Sequence, residues 1–149
     1  MSEKVFKITV LGNPVSQKRH RTVTRAKGGR ALPFARSYDP SASDKQDIRV
    51  IAQQQAPIEL LTGPLCVDVI FYFPRPQSHY RTGKLVGELK DNAPLHHTKR
   101  PDRDNLDKLV LDALTGVFWK DDSQICEGEI LKHYSKHPRT EITITVLNP

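Results

Sequence analysis

Arg100-Pro-Asp-Arg-Asp-Asn-Leu-Asp-Lys-Leu-Val-Leu-Asp-Ala-Leu-Thr-Gly116, then after Val117 the run Phe118-Trp-Lys-Asp-Asp-Ser-Gln-Ile125, carries the densest patterning in the chain. At the helical repeat of about 100° per residue, Leu106, Leu109, Val110, Ala113 and Leu114 gather on one side. The spacing therefore predicts a helix from about Asp104 to Leu114 with a buried stripe. Asp104, Lys108 and Asp112 follow one another at i, i+4 and fall on the opposite side. Pro101 and Asp102 stand just before the first turn, where a fixed φ and a carboxylate both suit a helix start. Gly116 supplies a C-cap. An N-cap, an Asp104–Lys108 ion pair and a solvated face would account for part of this acidity. They do not require so many carboxylates, because one cap residue suffices. A second acidic pair, Asp121-Asp122, follows Phe118-Trp119, which is read as a core anchor for it.

Outward from this helix the chain mixes strands and helices. Val5–Leu11 alternates as a strand and Gly12-Asn-Pro14 ends it. Residues of about 15–38 read as a basic arm, hairpin-like or mobile, with a Gly-Gly turn. Ser41 or Ser43 can cap a helix through Lys45–Gln55, with Ile48, Ile51 and Ala52 as its apolar stripe and Pro57 as its stop. Leu65–Phe73 is the strongest strand, rich in β-branched and aromatic residues. The polar segment of about 77–99 reads as a long loop. Two final strands, near Gln124–Tyr134 and Thr140–Leu147, join at a turn around Pro138. The expected class is α+β (mixed α/β), a small mixed sheet of three to four strands packed with two main helices, residues 1–149 forming one domain.

The net charge of +6 matters less than its distribution. Nine Lys or Arg and no acid lie between Lys4 and Tyr38, whereas six Asp face four basic residues between Arg100 and Asp122. A long acid-free basic stretch attracts polyanions by releasing their counterions. Lys18, Arg19, Arg21, Arg25, Lys27, Arg30, Lys99 and Arg100 are the candidate phosphate contacts. No apolar run reaches bilayer length and the N-terminus lacks a signal-peptide core, so a cytoplasmic protein with no membrane partner is expected. Cys66 and Cys126 sit in strand-like stretches and read as two buried thiols. His96, His97, His133 and His137 read as surface histidines, and Trp119 as a core residue.

Hard cations such as Mg²⁺ take oxygen ligands, a few carboxylates completed by waters and a substrate phosphate. Asp102, Asp104 and Asp122 can supply these if the strand near Ile125 carries Asp122 toward the helix N-terminus. Lys108, one turn along, would meet a scissile phosphate. The elements Asp-x-Asp-Asn-Leu-x-Lys, Asp-Ala-Leu and Trp-x-Asp-Asp, in this order, closely resemble the RusA family of Holliday junction resolvases. The resemblance extends into Lys132-His-Tyr134 and, more loosely, the first strand and basic segment. It implies a homodimeric, Mg²⁺-dependent endodeoxyribonuclease (Mn²⁺ substituting), of a kind often carried by phages, that nicks opposing strands of a four-way DNA junction in recombination and repair. The family's essential carboxylates fall on Asp102, Asp104 and Asp122 and its essential lysine on Lys108, with Asp112 and Asp121 in supporting positions. The chain departs from the family in its long segment 77–99, where compact members have a much shorter connection. A non-catalytic DNA-binding module of the same fold, and a two-metal nuclease acting on another branched nucleic acid, are the competing readings.

Overall fold

A computed structural model describes residues 4–19, 21–25, 28–29 and 31–149, with backbone only for residues 21, 23–25 and 31–36. Its elements run β1 (Val5–Leu11), β2 (Arg21–Arg25), β3 (Ala31–Tyr38), α1 (Ala42–Gln53), β4 (Leu65–Pro74), α2 (Arg103–Leu114), β5 (Ile125–Glu127), β6 (Ile130–Ser135) and β7 (Arg139–Val146). The mixed sheet has five strands rather than three or four. Its order is β1-β7-β4, and the far edge of β4 is shared in parallel by β5 and then β6. β7 runs antiparallel to both β1 and β4. The extra strand arises because the single strand expected over Gln124–Tyr134 is broken. A short 3₁₀ turn takes Asp122–Gln124, and Gly128 separates β5 from β6.

Gly128 explains the break. A Cβ built there would lie 1.9 Å from the carbonyl oxygen of Val67. Only a residue without a side chain lets the backbones approach so closely. Asp68 bridges the gap, its Oδ1 accepting from the backbone N–H of Glu129 at 2.8 Å. The Val69 N–H then donates to the Glu129 carbonyl and resumes the parallel ladder.

The core lies between one sheet face and the helices. In β4 the residues Leu65, Val67, Val69, Phe71 and Phe73 are buried and alternate with half-buried neighbours, as a strand's period of two requires. The stripe of α2 is as expected, with Leu106, Leu109, Val110, Ala113 and Leu114 all buried. Each fully buried leucine contributes about 1.5–3 kcal/mol against exposure, so this stripe outweighs any surface pairing on the helix. Helix α1 buries Ile48 and Ala52, with Ile51 at the margin. Ser41 precedes it but does not cap it, because its Oγ accepts instead from the backbone N–H of Lys18. Helix α2 ends at Thr115, with Gly116 one place beyond at positive φ. The Arg49 guanidinium donates to the last-turn carbonyls of Asp112 and Ala113 and complements the helix C-terminus.

The basic arm is an antiparallel hairpin of β2 and β3, forming its own two-stranded sheet. Arg21 and Arg25 lie on β2, and Lys27 and Arg30 fall outside the described residues. The segment 77–99 contains two single 3₁₀ turns and a bridge between His96 and His133 on the outer edge of β6. Among the described residues no helix is long and apolar enough to cross a membrane.

Candidate nuclease site

The exposed face of α2 presents Asp104 and Lys108, with Asp102 at the N-cap position. The Asp102 side chain makes no capping hydrogen bond. A carboxylate at a helix start that does not cap is available to a ligand, while the helix dipole favours its charge. Asn105 shares the side of the helix that carries Asp112. Helical spacing would have found it, since residues 105, 108 and 112 recur at i, i+3 and i+7.

Asp112 has a structural partner. Its Oδ2 lies 3.6 Å from the Nζ of Lys45, a nearly buried ammonium whose shorter bond is to Asp39 at 2.7 Å. This ties α1 to α2, and nothing in sequence spacing announces it.

Phe118 and Trp119 are fully buried, and the indole Nε1 donates to Thr115 Oγ1 at 3.0 Å. The following turn is bracketed by Gln124, a residue the sequence did not single out. Its Oε1 accepts from the backbone N–H groups of Lys120 and Asp121, and its Nε2 donates to the carbonyls of Leu61 and Gly63. All four bonds lie between 3.0 and 3.1 Å and pin the turn to the segment before β4. Asp121 spends its Oδ1 on the Ser123 N–H at 2.9 Å, completing a capping box. That bond holds its carboxyl below the ordinary range. Asp122, exposed at the start of the 3₁₀ turn, is left as the carboxylate free of a capping role.

The donor set is that of a hard cation: exposed carboxylates, with no thiolate among them. Among the described residues, however, no three His, Cys, Asp or Glu side chains converge on a point where one ion could be held. Asp102 and Asp104 stand at the N-terminus of α2, whereas Asp122 precedes β5, whose Ile125 lies beside Asp107 and Leu111 of that helix, and the three do not form a closed cluster.

Asp107 lies on the flank of α2 that faces β5, half-buried in a cleft of about 270 Å³ with Leu111, Val67, Ile125 and Gly128. Burial raises its pKa above 3.8, opposed by Arg103 and reinforced by Asp104. With the folded value above the unfolded one, protonated Asp107 stabilises the fold below pH 3.8, and that contribution is lost as pH rises through the raised value. Asp107→Asn keeps the neutral form at every pH. It is expected to melt above the parent at pH 7, with the gain shrinking toward pH 3.5. Thermal unfolding across that range checks it, and a lower melting temperature at pH 7 counts against the account.

The opposite flank of α2 opens into a groove of about 520 Å³ lined by Gln17, Lys18, Arg19, Asn105, Lys108 and Asp112. The root of the basic arm is tied to the helix there, Gln17 N–H donating to the Asn105 carbonyl at 2.9 Å. Lys18 and Arg19 are thereby brought beside Lys108, which sequence separation concealed. Lys99 and Arg100 are exposed just before Asp102.

Two expectations are corrected. Cys66 is half-buried and Cys126 exposed, both free, because Cys66 takes an outward position of β4 and β5 is a three-residue edge strand. Burial and the neighbouring Asp68 push the Cys66 thiol up to about 11, so it is a poor nucleophile at neutral pH. The histidines are not all surface residues. His97 stacks on Phe73 at 3.8 Å between ring centroids, and His133 packs edge-on against Tyr72 and His96.

A family model described as "Endodeoxyribonuclease RusA" matches residues 12–145. A protein of Bacillus subtilis (strain 168) bearing the name "Uncharacterized protein YqaN" is 38% identical over 141 residues, covering 93% of this chain and 94% of that protein.

Proposed function

The chain belongs to the RusA endodeoxyribonuclease family, and from that membership we propose that it is a Mg²⁺-dependent Holliday junction resolvase acting as a homodimer in the cytoplasm. The observation that carries the reading is the exposed face of α2, where Asp102, Asp104 and Lys108 stand beside a groove lined by Lys18 and Arg19. Asp102, Asp104 and Asp122 would hold the metal. Mg²⁺, or Mn²⁺ in its place, supplies the Lewis acidity that phosphodiester hydrolysis needs.

The chain's own groups do the rest. Lys108 binds the scissile phosphate from the exposed face of α2 and offsets the charge that builds on it. Lys18 and Arg19 engage backbone phosphates in the groove, and Lys99 and Arg100 do so beside the helix start. Arg21, Arg25, Lys27 and Arg30 of the hairpin arm extend the basic track along a junction arm. Gln124 fixes the turn that bears Asp122, and Asp121 and Asp112 hold structure around the site. Two copies of the site, one per protomer, would place one nick on each of two opposing strands.

The test uses labelled four-way junction, linear duplex, flap and single strand, each with and without Mg²⁺. Paired symmetric nicks in the junction, at least about tenfold faster than any cut in the other substrates, are expected; tenfold corresponds to about 1.4 kcal/mol of discrimination. Preferred cleavage of the flap would make the protein a nuclease for another branched substrate. Binding without cleavage in either Mg²⁺ or Mn²⁺ would make it a non-catalytic module.

A further inference from the structure

Lys132 of β6 is a half-buried cation whose ammonium bonds to no carboxylate among the described residues. Its Nζ donates to two backbone carbonyls, Lys99 and Pro101, each at 2.7 Å. Its own carbonyl accepts the N–H of His97 at 2.9 Å. One residue therefore grips the segment 97–101 at three points. Below the ammonium lies the Phe73 ring, 5.9 Å from Nζ to centroid, and His97 stacks on the same ring.

The gripped segment leads directly into the N-cap of α2. Pro101 has no N–H, so its carbonyl is its only backbone polar group, and Lys132 takes it. The next residue is Asp102, whose carbonyl accepts from Leu106 N–H and opens the helix. The Asp102 side chain makes no capping bond, so the helix does not fix it by that route. What sets its approach is the backbone immediately before it.

We propose that Lys132 is a positioning residue for Asp102: by clamping the Lys99 and Pro101 carbonyls it holds the Asp102 carboxylate where a divalent cation can be bound. This rests on the metal-binding reading of Asp102 and Asp104 given above. Groups that orient a metal ligand without touching the ion typically alter affinity by about 10- to 100-fold when removed.

The test is Lys132→Met, which keeps an aliphatic stem over Phe73 and removes the ammonium. Mn²⁺ binding to the DNA-free protein is measured by calorimetry, and the Mg²⁺ dependence of junction cleavage is measured alongside. Mn²⁺ affinity is expected to fall about tenfold or more, with the Mg²⁺ concentration for half-maximal cleavage rising by a similar factor. The amide resonances of residues 97–104 should shift while those of Ile142 and Ile144 in the core stay in place. Lys132→Gln carries the same expectation should the Met variant fail to fold. Wild-type Mn²⁺ affinity in a folded variant overturns the proposal. Asp104→Asn, titrated in parallel, separates the two layers. If it loses Mn²⁺ while the Lys132 variants keep it, Lys132 alone is misassigned; if it too binds Mn²⁺ as the parent does, the metal reading itself falls.

Discussion

Asp104→Asn is expected to lower the rate of junction cleavage by about 10³-fold or more, equivalent to about 4 kcal/mol of transition-state stabilisation. Junction binding should stay near that of the parent, because the phosphate contacts proposed for Lys18, Arg19, Lys99 and Arg100 are untouched. The substitution preserves shape, and the side chain is exposed on the first turn of α2. The stability cost is therefore confined to a weaker interaction with the helix N-terminus, about 0.3–1 kcal/mol. A loss of activity several times larger in free energy than the loss of stability cannot be a folding effect. Single-turnover cleavage, gel-shift binding and thermal melting on the same sample separate the three quantities. Cleavage at the parental rate would remove Asp104 from the metal site and, with it, the reading of α2 as the catalytic helix.

What sequence made legible here was local. Leu106, Leu109, Val110, Ala113 and Leu114 declare the buried face of α2 because helical phasing is a property of neighbours, and Asp104 and Lys108 emerge opposite them for the same reason. The burial of Trp119 and its aromatic neighbour likewise followed from their place in the chain. What escaped depends on contacts between distant segments. The pairing of Asp112 with Lys45 joins two helices and is invisible to helical spacing. The tie from Gln17 to Asn105 and the bracket of Gln124 on Leu61 and Gly63 are also long-range hydrogen bonds with no periodic signal. His97 was misjudged for a related reason, while His96 and His137 are exposed as expected. A polar residue in a loop looks exposed until a strand edge is found for it, and here the half-buried His97 donates its N–H to Lys132 of β6.

The split between β5 and β6 is the most consequential of these long-range features, and Gly128→Ala is expected to destabilise the protein by about 3 kcal/mol or more, among the larger single-residue effects. The added Cβ would meet two backbone atoms, the Val67 oxygen at 1.9 Å and its carbon at 2.8 Å. Neither can rotate away as a side chain would. The positive φ of Gly128 adds strain for any L-residue. Relief requires β4 and the β5–β6 junction to separate, which breaks the bond from Glu129 N–H to Asp68 and the bond from Val69 N–H to Glu129. For a chain of this size such a loss lowers the melting temperature by roughly 6–12 °C. The consequences should extend to function, because the strand pair carries the Asp122 turn at one end and Lys132 at the other. Melting and cleavage should therefore fail together in Gly128→Ala, whereas in Asp104→Asn cleavage fails alone. A Gly128→Ala protein that melts within a degree or two of the parent would mean that β4 and the β5–β6 junction are not packed as tightly as the 1.9 Å approach requires.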